Sequence, residues 1–297
     1  MTRILILLSL LLFPSICRAQ VPAPSVGKSL VAVYAGWRAA IIGKDVPAWQ
    51  RTTAQHRQAE IRNRLLSEKR PYPAGVFMLP SPPPSLDGLK MIHLSQRGAT
   101  AKAAFFGKIN FGVGGEPTEN ILVLSFVNSG SWRYDQADFV NLAALPEVRK
   151  EIAAGDLKYV VETPDFQASG AVPATPPAVP AAKYIAKVYV FCPGREVQVQ
   201  VNQFSRHRFA NAKEAEIVLG GAQDGANTVT YTAKGLDGGT GKEALAIRVY
   251  LMSEIEGTQP IKVFEYRVEE GGALTPFGKG TFTVDPETAA KLLPKNR

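Results

Sequence analysis

The residues in this sequence that could do acid–base or ligand chemistry begin with three histidines, His56, His93 and His207. Imidazole is the side chain whose ordinary pKa lies nearest neutrality, so each is a candidate acid, base or metal ligand. His93 is the best placed. Residues 89–96 read as a strand, on which Met91, His93 and Ser95 share one face and Ile92 and Leu94 the other. There His93 would serve as an acid/base or contact a ligand; the plainer alternative is a hydrogen-bonded histidine at a sheet surface. His56 falls in a basic helical stretch, and His207 falls in Ser205-Arg206-His207-Arg208, read as a loop. Their wide separation, with no HxH or HExxH spacing, argues against a histidine-built metal site. Asp224 and Asp237 are too isolated for a calcium site.

Nucleophile and phosphate motifs are missing. No GxSxG elbow occurs, and Gly130-Ser131 is a turn with no histidine near it in sequence. Residues 112–115 are glycine-rich but lack the Lys-Ser/Thr of a phosphate loop, so they read as a turn. Cys192 stands at the end of an apolar strand among Val188, Val190 and Phe191, where a buried inert thiol is expected. The expectation is therefore no catalytic set, no metal and no cofactor.

Two constellations remain. Tyr34, Trp37, Trp49, Trp132 and Tyr134, with His93, would line an aromatic pocket in the N-terminal half; the plainer alternative is helix-to-sheet core packing. Arg206, His207 and Arg208 would make a surface contact at a loop tip. A run of cations, Arg51, Arg57, Arg62, Arg64, Lys69 and Arg70, reads as a solvated helix face or a contact for anionic lipid or polysaccharide. No aromatic–basic module for nucleic acid accompanies it.

These residues need elements to position them. Residues 1–19 read as a signal peptide: Arg3, an apolar run at 4–13, and Cys17-Arg18-Ala19 before a cut after Ala19. The apolar run is about ten residues, short of the roughly 20 that span a bilayer. No later segment is longer, so no integral span is expected after cleavage, and the location is periplasmic or extracellular. Cleavage removes Arg3 and Arg18, so 32 basic residues face 26 acids and the net charge falls from +8 to +6. The mature chain keeps only Cys192, which excludes an internal disulfide.

Residues 30–41 carry apolar positions at helical spacing, and Gly43-Lys44-Asp45 ends that helix. Asp45 is placed to cap a second helix with Pro47 in its first turn, which runs on, or breaks and restarts, through residues 55–69. A proline-rich loop follows at 70–85, with residues 76–79 able to dock on the core. Strands are predicted at 89–96, 99–111 and 121–127, with a hairpin into Trp132-Arg133-Tyr134, a helix over 145–154 and a last strand over 157–161.

The Gly-Lys-Asp helix end, the buried aromatic that follows (Ala35-Gly36-Trp37 to Trp49) and the hairpin Gly130-Ser131-Trp132-Arg133-Tyr134 resemble the NTF2-like cone fold of SnoaL-like and ketosteroid-isomerase-like domains, over residues 26–145. The resemblance implies helices on a curved antiparallel sheet with a pocket at its open end. Enzymes of that superfamily need acids aimed into the pocket, and the strands at 89–96, 99–111 and 121–127 contain no Asp or Glu.

Residues 168–182, ASGAVPATPPAVPAA, hold Pro173, Pro176, Pro177 and Pro180 and predict an extended, semi-rigid spacer outside any core. Beyond it the period becomes 2. Seven strands are predicted (185–191, 197–201, 215–219, 228–233, 244–252, 261–268, 280–284), separated by glycine turns, which is a β-sandwich pattern. Val201-Asn202 and Gly225-Ala226-Asn227-Thr228-Val229 resemble Ig-like or carbohydrate-binding-like sandwiches, a likeness that names no ligand.

The sequence therefore predicts a signal peptide (1–19), an α+β cone-like domain (26–166), a Pro/Ala-rich linker (167–183), an all-β sandwich (184–286) and a tail (287–297). Its functional expectation is an exported, non-enzymatic binding or scaffolding protein of a bacterial envelope, directed at a glycan or an envelope protein and not at nucleic acid. The alternative is an enzyme holding a small apolar substrate in the cone, with His93 as acid/base.

Overall fold

The computed structural model describes residues 24–109, 116–255 and 257–293. The segment read as a signal peptide and the stretch at 112–115 read as a turn lie outside them. Helices are combined with three four-stranded antiparallel sheets. The chain divides into two compact units, residues 1–34 with 84–172 and residues 35–83 with 173–297. The break falls inside the first helix, α1 (Pro24–Gly43).

In the first unit, β1 (Lys90–Arg97), β2 (Thr100–Ile109), β3 (Thr118–Asn128) and β4 (Trp132–Val140) pair in chain order. β3 is buried along almost its whole length, because both sheet faces are covered. On one face Phe126 meets Tyr134, and Tyr134 meets Tyr34 of α1 at 5.6 Å between ring centres. On the other, Ala104, Ile121 and Val123 pack with Leu142, Ile152, Val160 and Phe166. Those partners come from α4 (Pro146–Ala153), α5 (Lys158–Glu162) and the short turns around them. The strand expected at 157–161 is thus a helix. The Asp156 carboxylate accepts the Lys158 N–H at 2.9 Å and starts the turn, overriding the β-branched pair Val160-Val161. Past α5 the chain is tied back to the sheet: Ala168 N–H donates to Ser95 Oγ (3.0 Å) and Gly170 N–H to Thr100 Oγ1 (2.8 Å).

The second unit begins with helices. Asp45 caps α2 (Val46–Thr52) by accepting the Ala48 N–H at 2.9 Å, as its spacing predicts. Thr53 turns extended, so the helical stretch breaks and restarts as α3 (Gln55–Ser67). Trp49, Ala40, Ile41, Leu65 and Val76 form the buried centre of this layer.

Eight strands follow: β5 (Ala186–Phe191), β6 (Arg195–Val201), β7 (Ser205–Ala210), β8 (Lys213–Ile217), β9 (Gly225–Gly235), β10 (Leu245–Leu251), β11 (Ile261–Val268) and β12 (Phe277–Val284). They form sheets of order β11-β10-β5-β8 and β12-β9-β6-β7. Val188, Val190, Ile247 and Val249 of one sheet and Val197, Val199, Val201 and Val229 of the other share one hydrophobic cluster. β7 is the strand the sequence reading took for a loop. Its alternation is masked by charge, since only Ser205 and Phe209 are fully buried. The expected tail begins instead as helix α6 (Pro286–Leu292), capped by Asp285, whose carboxylate accepts the Thr288 N–H at 2.7 Å. Glycine has a packing role in β12: a Cβ on Gly278 would run into the Tyr231 ring, and one on Gly280 into Phe264.

Residues 173–183 are extended, as their prolines require, but they are not a free spacer. Asn63 of α3, 1% exposed, donates its amide N–H to the Pro177 carbonyl (2.9 Å) and accepts the Val179 N–H (3.1 Å). Ala182 N–H donates to the Leu66 carbonyl (3.0 Å). Ser67, fully buried, accepts the Gly220 N–H at 2.9 Å. Val179 and Ala182 are buried in consequence. Residues 35–83 therefore group with the C-terminal sheets, whereas the sequence reading assigned them to one contiguous domain over 26–166. The cause is polar matching on α3: Asn63 and Ser67, one helical turn apart, supply the partners that the proline-rich strap and the Gly220 turn need.

Asn63→Ala would leave the buried Val179 N–H unpaired, at a cost of about 1–3 kcal/mol. The expected result is a lower urea midpoint and faster proteolysis within residues 173–183, with Lys150→Ala, on the exposed face of α4, as a neutral control. An unchanged midpoint would mean that the strap is held by something other than Asn63.

Candidate functional site

The period of 2 that buries the valines of β5 and β10 sends the intervening residues outward. On β5 these are Lys187, Tyr189 and Phe191, and on β10 Ala246, Arg248 and Tyr250. Antiparallel register stacks them in rows across the sheet. Lys213, Phe191, Ala246 and Arg267 form one row. Tyr189, Arg248 and Glu265 form the next, and Lys187, Tyr250 and Lys262 the third. The outer face of sheet β11-β10-β5-β8 thus interleaves three half-buried aromatic rings with cations.

At one end of this face lies a cleft of about 260 Å³, lined by Tyr189, Phe191, Ala246, Lys213, Arg248 and Arg267. The Arg248 guanidinium sits 5.8 Å from the centre of the Tyr189 ring, within cation–π range. It also donates to Glu265 at 2.5 Å, and Glu265 is paired to Lys262 as well. Lys262 and Arg248 hold the Glu265 carboxyl down to about 2, so it is ionised throughout the neutral range. Arg267 is bonded to Glu269 through two nitrogens, at 2.9 and 3.1 Å. The Lys213 side chain makes no ion pair among the described residues. The arrangement can stack an apolar ring face and pair with anions, while offering ionised carboxylates to hydroxyl donors.

No family model, curated protein or solved structure matches this chain.

Of the residues expected to line an aromatic pocket, those of the first unit fall on both faces of its sheet. Tyr34 and Tyr134 pack on one face of the first sheet. His93 lies on the opposite face, in register with Ala104 and Val123. Trp37 and Trp49 pack in the other unit, with Trp49 edge-on to Tyr72 at 6.5 Å. Trp132 opens β4 opposite Asn128. His93 is half-buried, with its Nε2 3.4 Å from the Gln167 amide nitrogen, and burial lowers its pKa. Asp138 of β4 shares the His93 row, but two strands lie between them, three spacings of about 4.8 Å, so the two form no acid–base pair.

Arg206, His207 and Arg208 do not form one contact either, because they alternate along β7. Arg206 and Arg208 face outward on Gln200 and Glu196, at 3.2 and 2.6 Å. His207 faces inward, 2.6 Å from Ser205 Oγ, and desolvation lowers its pKa to about 4. Ser205 is fully buried and already accepts the Leu219 N–H, so this Ser–His pair is closed to a substrate. Cys192 is buried with its thiol pKa raised by burial, as expected of an inert cysteine. No group of three metal-ligating side chains occurs among the described residues. No helix among them is long and apolar enough to cross a membrane.

A second depression, about 760 Å³ and mostly apolar, lies between Tyr184, Val284, Ala289 and Leu293. Its acids are already engaged: Asp224 accepts the Tyr184 hydroxyl at 2.7 Å and pairs with Lys183, and Asp285 caps α6.

Sequence reasoning missed Tyr189, Phe191, Tyr250 and Arg248. The alternation Lys187, Tyr189, Phe191 was a visible signal, but their convergence with β10 and β11 depends on long-range register.

His207 has a pH consequence. Its folded pKa, about 4, lies below the ordinary 6.5, so the unfolded chain binds the extra proton. The stability that neutral His207 contributes is complete above about pH 6.5 and is lost as pH falls toward 4. Urea unfolding at pH 7 and pH 5 should show a smaller loss for His207→Gln than for wild type; equal losses would refute the assignment.

Proposed function

We propose that this chain is an exported, non-enzymatic binding protein of a bacterial envelope, periplasmic or extracellular, whose contact surface is the outer face of sheet β11-β10-β5-β8. Its ligand is a glycan. The observation that carries the reading is the set of outward rings, Tyr189 and Phe191 on β5 and Tyr250 on the neighbouring β10, the first two lining a cleft with polar groups at their edges. Aromatic faces give large contact area at low entropic cost, and sugar rings present apolar C–H faces ringed by hydroxyls. Two sheets closing on one core are the scaffold of a β-sandwich binding module, and this supports the Ig-like or carbohydrate-binding-like reading of residues 184–286. Support for an NTF2-like cone is narrower. The order of helices followed by a four-stranded antiparallel sheet is present, while α2 and α3 group with residues 173–297.

Export is tested by mass spectrometry of the protein recovered from the envelope fraction or medium, which should begin at Gln20. Binding is tested on immobilised polysaccharides. The wild-type chain should be retained by at least one, and the double variant Phe191→Ala, Tyr250→Ala should not. Phe277→Ala removes a 71% exposed ring from the other sheet and should bind as wild type. Retention on no polysaccharide, or equal loss in Phe277→Ala, would overturn the assignment of this face.

A further inference from the structure

The cations of this face are gathered where the cleft is, and that placement speaks to the ligand's charge. Lys213 and Arg267 stand at opposite ends of one row, with Phe191 and Ala246 between them as an apolar floor. Arg248 stands in the next row beside Tyr189. The three cations and both rings line the same cleft. The geometry points to an acidic polysaccharide as the ligand: a sugar ring lies on Phe191 and Ala246, and carboxylates or sulfates along the chain are held at one end by Lys213 and at the other by Arg267, with Arg248 in the next row. This rests on the glycan reading above and goes beyond it by stating charge and orientation.

The donors are available. A guanidinium carries five N–H donors, and the ion pair to Glu265 uses one of them on Arg248, at Nε. Arg267 commits Nε and one terminal nitrogen to Glu269. Lys213 is uncommitted among the described residues. The carboxylates Glu265 and Glu269, interspersed with the cations, separate this ligand from nucleic acid. A DNA strand has no free sugar hydroxyl along its length to give them, whereas each unit of a sugar acid carries hydroxyls that donate to them. The outer face of the other sheet differs. There Arg208 and Lys234 both converge on the Glu196 carboxylate, and the exposed Phe277 ring stands on the opposite edge strand from Arg208.

The test uses the mature full-length chain in affinity electrophoresis and titration calorimetry, with polygalacturonate, dextran sulfate, neutral dextran, hydroxyethylcellulose and a DNA duplex as probes. Polygalacturonate or dextran sulfate should bind, the neutral polymers should not, and binding should weaken as salt rises. Lys213→Ala with Arg267→Ala should lower affinity about tenfold, the sum of two exposed charge contacts. Lys213→Gln alone should give a smaller loss, and Arg208→Ala with Lys234→Ala none; thermal unfolding checks that each variant is folded. Equal binding of neutral and acidic polymers would overturn the acidic ligand and leave the glycan reading standing. Binding to no polysaccharide would remove both. Tighter binding to DNA, or loss in the Arg208/Lys234 control, would overturn the acidic-sugar site.

Discussion

The interior shared by the two C-terminal sheets admits one register of their strands. Val188, Val190, Ile247 and Val249 must face Val197, Val199, Val201 and Val229, and a slip of one residue would put all of them in water. Burying a side chain of this size is worth about 1.5–3 kcal/mol. The outward set is decided by the same constraint: with the valines inside, Tyr189, Phe191, Arg248 and Tyr250 have no other direction to point. The glycines of β12 belong to the same fit, since Gly278 and Gly280 clear the space that Tyr231 and Phe264 fill. Tyr231 then stacks on Tyr266 at 4.4 Å and joins the two sheets.

A second constraint is the need of buried backbone for partners. A proline-rich strap cannot pair with a sheet, because four of its residues lack an N–H. It can still dock where a side chain offers both a donor and an acceptor in the right places. Asn63 does this, with the Leu66 carbonyl and Ser67 Oγ extending the match to Ala182 and Gly220. Prolines lower the entropy lost on docking, because the segment is already extended when free. The stretch that reads as a divider between domains is in this way part of the packing of the second.

The same economy separates the closed polar groups from the open ones. His207 with Ser205, and Arg195 with the Gly241 and Glu243 carbonyls, are buried polar sets that hold loops and edges in place. Desolvation lowers the His207 pKa, and Ser205 and Arg195 are themselves buried. The outer-face groups are half-exposed, keep N–H donors that their ion pairs do not use, and are set beside apolar rings. This is the environment in which a ligand gains contacts without first breaking the fold.

Much of the architecture was legible because it follows from local chemistry. The Asp45 cap, most of the strand spans, the glycine turns and the extended prolines each follow from residue type and spacing within a few positions. The fate of Cys192 follows from its apolar neighbours. What was not legible depended on partners distant in sequence. Residues 205–208 look like a loop because only alternate positions are apolar enough to be buried. Residues 157–161 look like a strand until Asp156 and the buried contacts of Val160 are in place. The aromatic residues of the N-terminal half suggest one pocket with His93, yet in the first unit Tyr34 and Tyr134 lie on one face of the sheet and His93 on the other. Composition and periodicity determined that the chain would combine helices with antiparallel sheets. Only the tertiary structure decided which side chains meet, because the pairing of β5 with β10 and of β10 with β11, and the docking of the strap on α3, join residues that no local rule connects.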